Sequence, residues 1–227
     1  MKPPVAVCGM DTGVGKSVVT GLLARHLRDQ GASVMTMKLV QTGCAEPEDI
    51  LLHRRLMGIS WQPEDEQRVT CPYCFPLAAS PHLAAEKAGA AIDPARLDQA
   101  ADSLSAQFDQ LIVEGAGGLL VPLTRSLLLL NYLQAKQWPL ILVTSPRLGS
   151  INHTLLCLEA VKQRQMPLLG LVYNLHGSHP PEIVRDSLRV FRDALASYGF
   201  PQHVVLLPDM KESRSAHWNL LLNAAAC

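Results

Sequence analysis

Nine residues near the start of the chain, Gly9-Met10-Asp11-Thr12-Gly13-Val14-Gly15-Lys16-Ser17, constrain it more than any others. They follow the aliphatic run Val5–Cys8 and precede a segment with helical apolar spacing, so the order is strand, glycine-rich turn, Lys-Ser, helix. In that context a turn becomes a phosphate cradle. Glycines let backbone N–H groups converge on oxygens, the helix adds the positive end of its dipole, a lysine reaches the terminal phosphates, and a hydroxyl faces Mg2+. A lysine in a first helical turn works against the dipole unless an anion sits there. Five residues separate Gly9 from Gly15, one more than in the usual G-x-x-x-x-G-K-[ST] spacing.

Phosphate chemistry needs a metal and cations that hold developing charge, and two further segments offer them. In Leu111-Ile112-Val113-Glu114-Gly115-Ala116-Gly117-Gly118 a carboxylate ends an aliphatic run. Parallel sheets bind ligands at the carboxyl ends of their strands, and Glu114 is a hard oxygen donor of the kind Mg2+ takes. Lys38-Leu39-Val40-Gln41-Thr42-Gly43 places a second lysine at the same edge. Two ammonium groups there repel each other unless negative charge lies between them. After the run Leu140–Thr144, the stretch Gly149-Ser150-Ile151-Asn152 opens a helix, and its N–H groups suit a carboxylate or a plain helix cap.

Aliphatic runs alternating with helically spaced segments predict an α/β, single-domain P-loop NTPase-like fold over residues 1–227, a mostly parallel β-sheet with helices on both faces. Strands are expected at Val5–Cys8, Ser33–Met37, Gln110–Glu114, Leu140–Thr144, Leu168–Tyr173 and Val204–Leu207. Helices are expected at about Ser17–Gln30, Pro47–Met57, Pro94–Phe108, Leu127–Gln137, Asn152–Gln165 and Pro181–Tyr198. Residues 60–81, with Pro63, Pro72, Pro76 and Pro81 and no clear period, predict an irregular, lid-like excursion.

Twenty Lys+Arg balance twenty Asp+Glu, so no global field draws the chain to nucleic acid or an anionic membrane, and a polyanion must be gripped locally. The run Val5–Met10 stops at Asp11, too short for a secretory core, and no run approaches the ~18–20 residues of a membrane span. Six cysteines without an export signal suggest reduced thiols, and the chain is expected to be cytoplasmic. Cys71-Pro72-Tyr73-Cys74 lacks the second pair of a zinc site and opens no thioredoxin-like helix, so it reads as incidental.

Together with Ser80-Pro81-His82, Leu148-Gly149-Ser150-Ile151-Asn152-His153-Thr154 and Val172-Tyr173-Asn174, these segments resemble the dethiobiotin synthetase family, in order from residue 9 to residue 174. The longer loop spacing is that family's own. The resemblance implies a homodimeric, ATP- and Mg2+-dependent ligase of biotin biosynthesis. Such an enzyme carboxylates 7,8-diaminononanoate with CO2 or bicarbonate and closes the ureido ring through a carbamic–phosphoric anhydride. The resemblance also puts Thr12 and Lys16 at the transferring phosphate and Gly13, Val14, Gly15, Ser17 and Val18 in the nucleotide cradle, with Gly115, Ala116 and Gly117 beside it. Mg2+ would fall to Ser17, Asp49 and Glu114, with Glu48 the competitor to Asp49, and carbamate and phosphoryl charge to Lys38. Thr42 would bind substrate, Asn174 would read adenine, and Pro208-Asp209-Met210 would close over the base. Gly149, Ser150, Ile151 and Asn152 would hold the substrate's far carboxylate across the dimer.

Three residues depart from the family pattern. Leu39 stands where proline is common and is expected to loosen the turn that aims Lys38; Ser17 replaces the commoner threonine and keeps the hydroxyl; Asn131 stands where aspartate is frequent. The rival reading is a P-loop ATPase of the same superfamily that acts as a switch positioning partners. Such a protein hydrolyses ATP without a diamine or bicarbonate.

Overall fold

The computed structural model describes residues 2–177, 179–208 and 216–222. Strands β1 (Val5–Gly9), β2 (Val34–Lys38), β5 (Gln110–Gly118), β6 (Leu140–Thr144), β7 (Leu168–Asn174) and β8 (Val204–Leu207) form one sheet. Its order is β2-β5-β1-β6-β7-β8, with every neighbouring pair parallel. A separate parallel pair joins β3 (Gln41–Thr42) to β4 (Cys74–Phe75). The helices are α1 (Lys16–Asp29), α2 (Glu48–Met57), α3 (Pro63–Glu66), α4 (Pro81–Lys87), α5 (Pro94–Gln107), α6 (Leu129–Lys136), α7 (Ser150–Gln163), α8 (Pro181–Tyr198) and α9 (Asn219–Leu222).

Successive strand residues feed opposite cores, as a period of two on a sheet covered on both sides requires. Leu111, Val113, Leu140 and Leu142 pack on one side, and Ile112, Ile141 and Val143 on the other. The central strand β1 lies between β5 and β6, so the chain crosses from one side of β1 to the other at the carboxyl edge, where such sheets bind ligands. β5 runs past Glu114 to Gly118 because a register shift between Val7 and Gly9 pairs Gly9 with Gly118. The glycine-rich stretch after Glu114 is therefore strand laid against the start of the phosphate loop.

Between residues 60 and 81 only the short α3 and β4 are regular before α4 begins at Pro81, and the stretch is pinned by specific contacts. Pro63 and Pro81 each occupy the first helical position, where the missing N–H costs nothing. The Asp65 carboxylate caps α3 by accepting the Gln62 N–H at 2.8 Å, and Arg54 Nη2 donates to the same carboxylate at 2.7 Å. The segment then runs beside the Lys38 stretch. Lys38 N–H donates to the Thr70 carbonyl at 2.8 Å, Gln41 N–H to Tyr73 at 2.8 Å, and Gly43 N–H to Phe75 at 3.0 Å.

Helix α2 leans closely on α1 at Gly21. A Cβ there would lie 2.8 Å from Leu56 Cβ and 3.3 Å from the His53 Cα. This approach brings the first turn of α2 over the start of α1, and with it Asp49 over Ser17.

Candidate active site

The phosphate loop is set by Gly15, which adopts φ +97 in the left-handed region and caps α1. A Cβ at that position would collide with the Asn174 side-chain amide as well as strain the backbone. Asn174 Nδ2 donates to the Val14 carbonyl at 3.0 Å, tying the end of β7 to the loop. Lys16 is buried and curls back to donate to the Asp11 carbonyl at 2.9 Å. Burial, with Lys38 as the next cause, lowers its pKa against the pull of Glu114 and Asp49.

At the centre stands Glu114, fully buried. Its Oε1 accepts from Lys38 Nζ at 2.6 Å and lies 2.9 Å from Ser17 Oγ, while Oε2 lies 2.7 Å from His53 Nε2. Asp49 completes the set: Oδ1 is 2.7 Å from Ser17 Oγ and Oδ2 is 2.6 Å from Lys38 Nζ. Behind it, His53 Nδ1 lies 3.1 Å from Thr36 Oγ1, which accepts from Arg54 Nη1 at 2.8 Å. The relay fits an imidazole whose Nε2–H donates to the carboxylate and whose Nδ1 accepts from the Thr36 hydroxyl. Burial alone would raise the Glu114 pKa, but Lys38 and His53 overcome it and hold the group at about 2. Burial likewise opposes charge on Lys38, yet Glu114 and Asp49 push its pKa above the usual lysine range.

These groups open onto a cavity of about 810 Å³ that is also lined by Thr12, Gly13, Gly15, Val18, Thr42, Ala116 and Gly117. Ser17, Asp49 and Glu114 present a hydroxyl and two carboxylates to one point, a hard-oxygen set that suits Mg2+, which keeps waters and phosphate oxygens as its other ligands. Lys38 presently supplies the positive charge the two carboxylates require. Among the described residues no three His, Cys, Asp or Glu side chains group to hold a metal by themselves. The competing Glu48 is exposed, whereas Asp49 faces Ser17.

Several residues named from the sequence stand away from this cavity wall. Val14 and Gly115 are buried beneath it, and Asn174 lies behind the loop. Pro208 directly follows Leu207, the register partner of Asn174, so the two share one edge of the sheet. Asp209 and Met210 lie outside the described residues. Gly149, Ser150, Ile151 and Asn152 form the start of α7 and do not line this chain's own cavity. Leu39 tightens its turn rather than loosening it: its N–H donates to the Glu114 carbonyl at 3.1 Å, a bond proline cannot make. Asn131 Oδ1 accepts from Arg164 Nε at 2.8 Å and lies off the cavity wall. Sequence reasoning missed His53 and Arg54. The one available signal was the spacing of His53, four residues after Asp49 and so on the same helix face.

A family model described as an AAA domain matches residues 4–208. The ATP-dependent dethiobiotin synthetase BioD of Chlorobaculum tepidum is 45% identical over 203 residues, covering 89% of this chain and 85% of that protein. The ATP-dependent dethiobiotin synthetase BioD 2 of Haemophilus influenzae is 45% identical over 171 residues, covering 75% of this chain and 90% of its own. Among solved structures, the septum site-determining protein MinD of Pyrococcus horikoshii complexed with Mg-ADP superposes with a TM-score of 0.54 at 19% identity, covering 99% of this chain and 86% of that one. A ParA family ATPase from Chlorobium tepidum gives 0.53 at 17% identity, covering 99% and 90%. At those identities the two structures speak for the fold alone.

Proposed function

The chain belongs to the ATP-dependent dethiobiotin synthetase family, and we propose that the cavity between the Lys16 loop, Lys38 and Glu114 is where it couples ATP to closure of the ureido ring. It is an ATP-dependent cyclo-ligase of biotin biosynthesis acting on small molecules. The observation that carries the site assignment is that Ser17 and Lys38 each contact both Asp49 and Glu114, at 2.6–2.9 Å, beside the phosphate loop.

In this reading one amine of 7,8-diaminononanoate takes up CO2 as a carbamate, and the carbamate oxygen attacks the γ-phosphorus of ATP, breaking its bond to the bridging oxygen and releasing ADP. The second amine then closes on the carbonyl carbon and expels phosphate. Catalysis of this kind is mostly positioning and charge neutralisation. The loop N–H groups and Lys16 take the ATP phosphates, and Thr12 meets the transferring group. Lys38 holds the carbamate and the charge that develops on it, and Thr42 orients the diamine. Asn174 and Pro208, with Asp209 and Met210, take the base. Mg2+ would be held by Ser17, Asp49 and Glu114, where it supplies neutralising charge for the phosphate oxygens. His53 keeps Glu114 aimed and ionised.

Two further points follow. The α7 start lies off its own cavity, and Leu148 is fully exposed beside it, while the exposed Leu120 and Leu156 line one hollow together with Met10 and Leu119. A homodimer that covers this apolar surface brings Gly149–Asn152 to the other protomer's substrate. Because ATP is a co-substrate, the enzyme works in the cytoplasm. The test of the site is Lys38→Met: nucleotide binding stays near wild type while dethiobiotin formation falls by roughly 10²-fold or more. An unchanged turnover would remove Lys38 from the mechanism.

A further inference from the structure

The ring-closing reaction uses no thiol, yet three cysteines meet beside its cavity. Cys74 opens β4 and is the register partner of Gln41 on β3. Its S–H donates to the Cys44 carbonyl at 3.4 Å, and the S–H of Cys71, three residues earlier, donates to the Tyr73 carbonyl at 3.4 Å. Cys71 is buried at 2% exposure, whereas Cys44 and Cys74 are partly open to solvent, and none of the three is in a disulfide. The third thiol, Cys44, and the pairing of the segment with the Lys38 stretch are not visible in the C-x-x-C spacing.

We propose that Cys71-Pro72-Tyr73-Cys74 is an oxidation site, in which Cys74 reacts with hydrogen peroxide and Cys71 resolves the product into an intrachain disulfide. The Cys74 sulfur attacks the peroxide O–O bond and keeps one oxygen as a sulfenic acid. The other oxygen leaves as hydroxide and becomes water with the thiol's proton. The Cys71 sulfur then attacks the sulfenic sulfur, forms the S–S bond and expels a second water. Two thiols lose two electrons and two protons, and one peroxide becomes two waters.

The surroundings favour this division of roles. The Cys71 thiol lowers the pKa of Cys74, with Arg68 and the Cys44 thiol assisting against burial, and a readily ionised, accessible thiol is the reactive kind. Hydrogen bonding to Cys74 and burial push Cys71 the other way. Elsewhere burial holds Cys8 and Cys157 up at about 12, so they are poor competitors. The consequence for turnover follows from the backbone. Residues 70–75 accept the N–H groups of Lys38, Gln41 and Gly43, so closing a ring across Cys71 and Cys74 moves the edge that aims Lys38 and Thr42. That consequence rests on the proposed role of the cavity; the sulfur chemistry does not.

The experiment treats the reduced full chain with a few equivalents of hydrogen peroxide, quenches with N-ethylmaleimide and maps tryptic peptides. Residues 69–87 form a peptide that holds Cys71 and Cys74, and residues 39–54 form one that holds Cys44. The expected result is a 69–87 peptide lighter by two hydrogens and unlabelled, with Cys8 and Cys157 still labelled. A bridge between 69–87 and 39–54, overoxidised Cys74 beside labelled Cys71, or equal reaction of all thiols would overturn the assignment. Cys71→Ser should leave a Cys74 sulfenic acid that dimedone traps, and Cys74→Ser should leave Cys71 reduced. Dethiobiotin formation by the oxidised chain should fall roughly tenfold or more and return with dithiothreitol, a displacement effect at Lys38. Full activity in the disulfide form would overturn the coupling. A reduced chain that makes no dethiobiotin would count against the cavity's role, while the mass readout still decides the thiols.

Discussion

At the scale of residues, the site depends on a buried carboxylate that stays ionised because three neighbours hold it. Glu114→Gln removes the charge that Lys38 and His53 oppose, and dethiobiotin formation is expected to fall by roughly 10²-fold or more in steady-state assays. Wild-type rates in that variant would show that the carboxylate has no part in turnover. His53→Ala leaves Oε2 of Glu114 buried without its donor, a loss of about 1–3 kcal/mol that urea unfolding would read, together with a lower kcat. An unchanged midpoint would mean that His53 does not hold the carboxylate. The loop from Gly9 to Ser17, Lys38 and Glu114 were legible because each stands in a local pattern of strand end, glycine and charge. His53 was not, because a single histidine on a helix carries no local mark, and its partner Thr36 lies on another strand. Leu39 was misjudged for a related reason. The worth of its N–H appears only once β5 places the Glu114 carbonyl opposite.

At the scale of elements, the main strand and helix positions followed from aliphatic alternation and helical spacing to within a few residues, and the short α3, β4 and α4 did not. The excursion is held to α2 by the buried Arg54–Asp65 pair, joined at 2.7 Å, which no local pattern announces. Burial alone would raise the Asp65 pKa, but Arg54 and Thr70 bring it below 3.8. A carboxylate depressed by folding contributes stability that is present above its unfolded value and lost as pH falls through the folded one. Thermal melts across pH should therefore show a loss of stability below about pH 4. Asp65→Asn should cost about 3–5 kcal/mol at neutral pH and flatten that acid limb. An acid limb of unchanged steepness in the variant would assign the acid loss to other groups. The α1–α2 contact gives a second test. Gly21→Val forces Leu56 and α2 away, costs about 1–3 kcal/mol and shifts Asp49 off Ser17, so turnover should drop more than stability alone explains.

At the scale of the whole molecule, the fold is shared with a MinD protein and a ParA family ATPase, so it does not choose between a ligase and a switch. What chooses is the pair of dethiobiotin synthetases 45% identical over most of the chain. The sheet was legible because every strand is a run of aliphatic residues. The proposed pairing of two copies rests on the family resemblance, since nothing in the spacing of the exposed Leu120, Leu148 and Leu156 marks an interface. Light scattering is expected to give twice the 24.7 kDa of one chain, and Leu156→Asp to shift it toward the monomer with loss of activity; an active monomer would exclude a shared site. The most direct test of the central claim is phosphate release from Mg·ATP by the purified chain, with and without 7,8-diaminononanoate and bicarbonate, while dethiobiotin is followed by mass spectrometry. The account expects phosphate and dethiobiotin to appear together, one for one, and only when both substrates are present. Hydrolysis that ignores the diamine and bicarbonate, or no product at all, would contradict it.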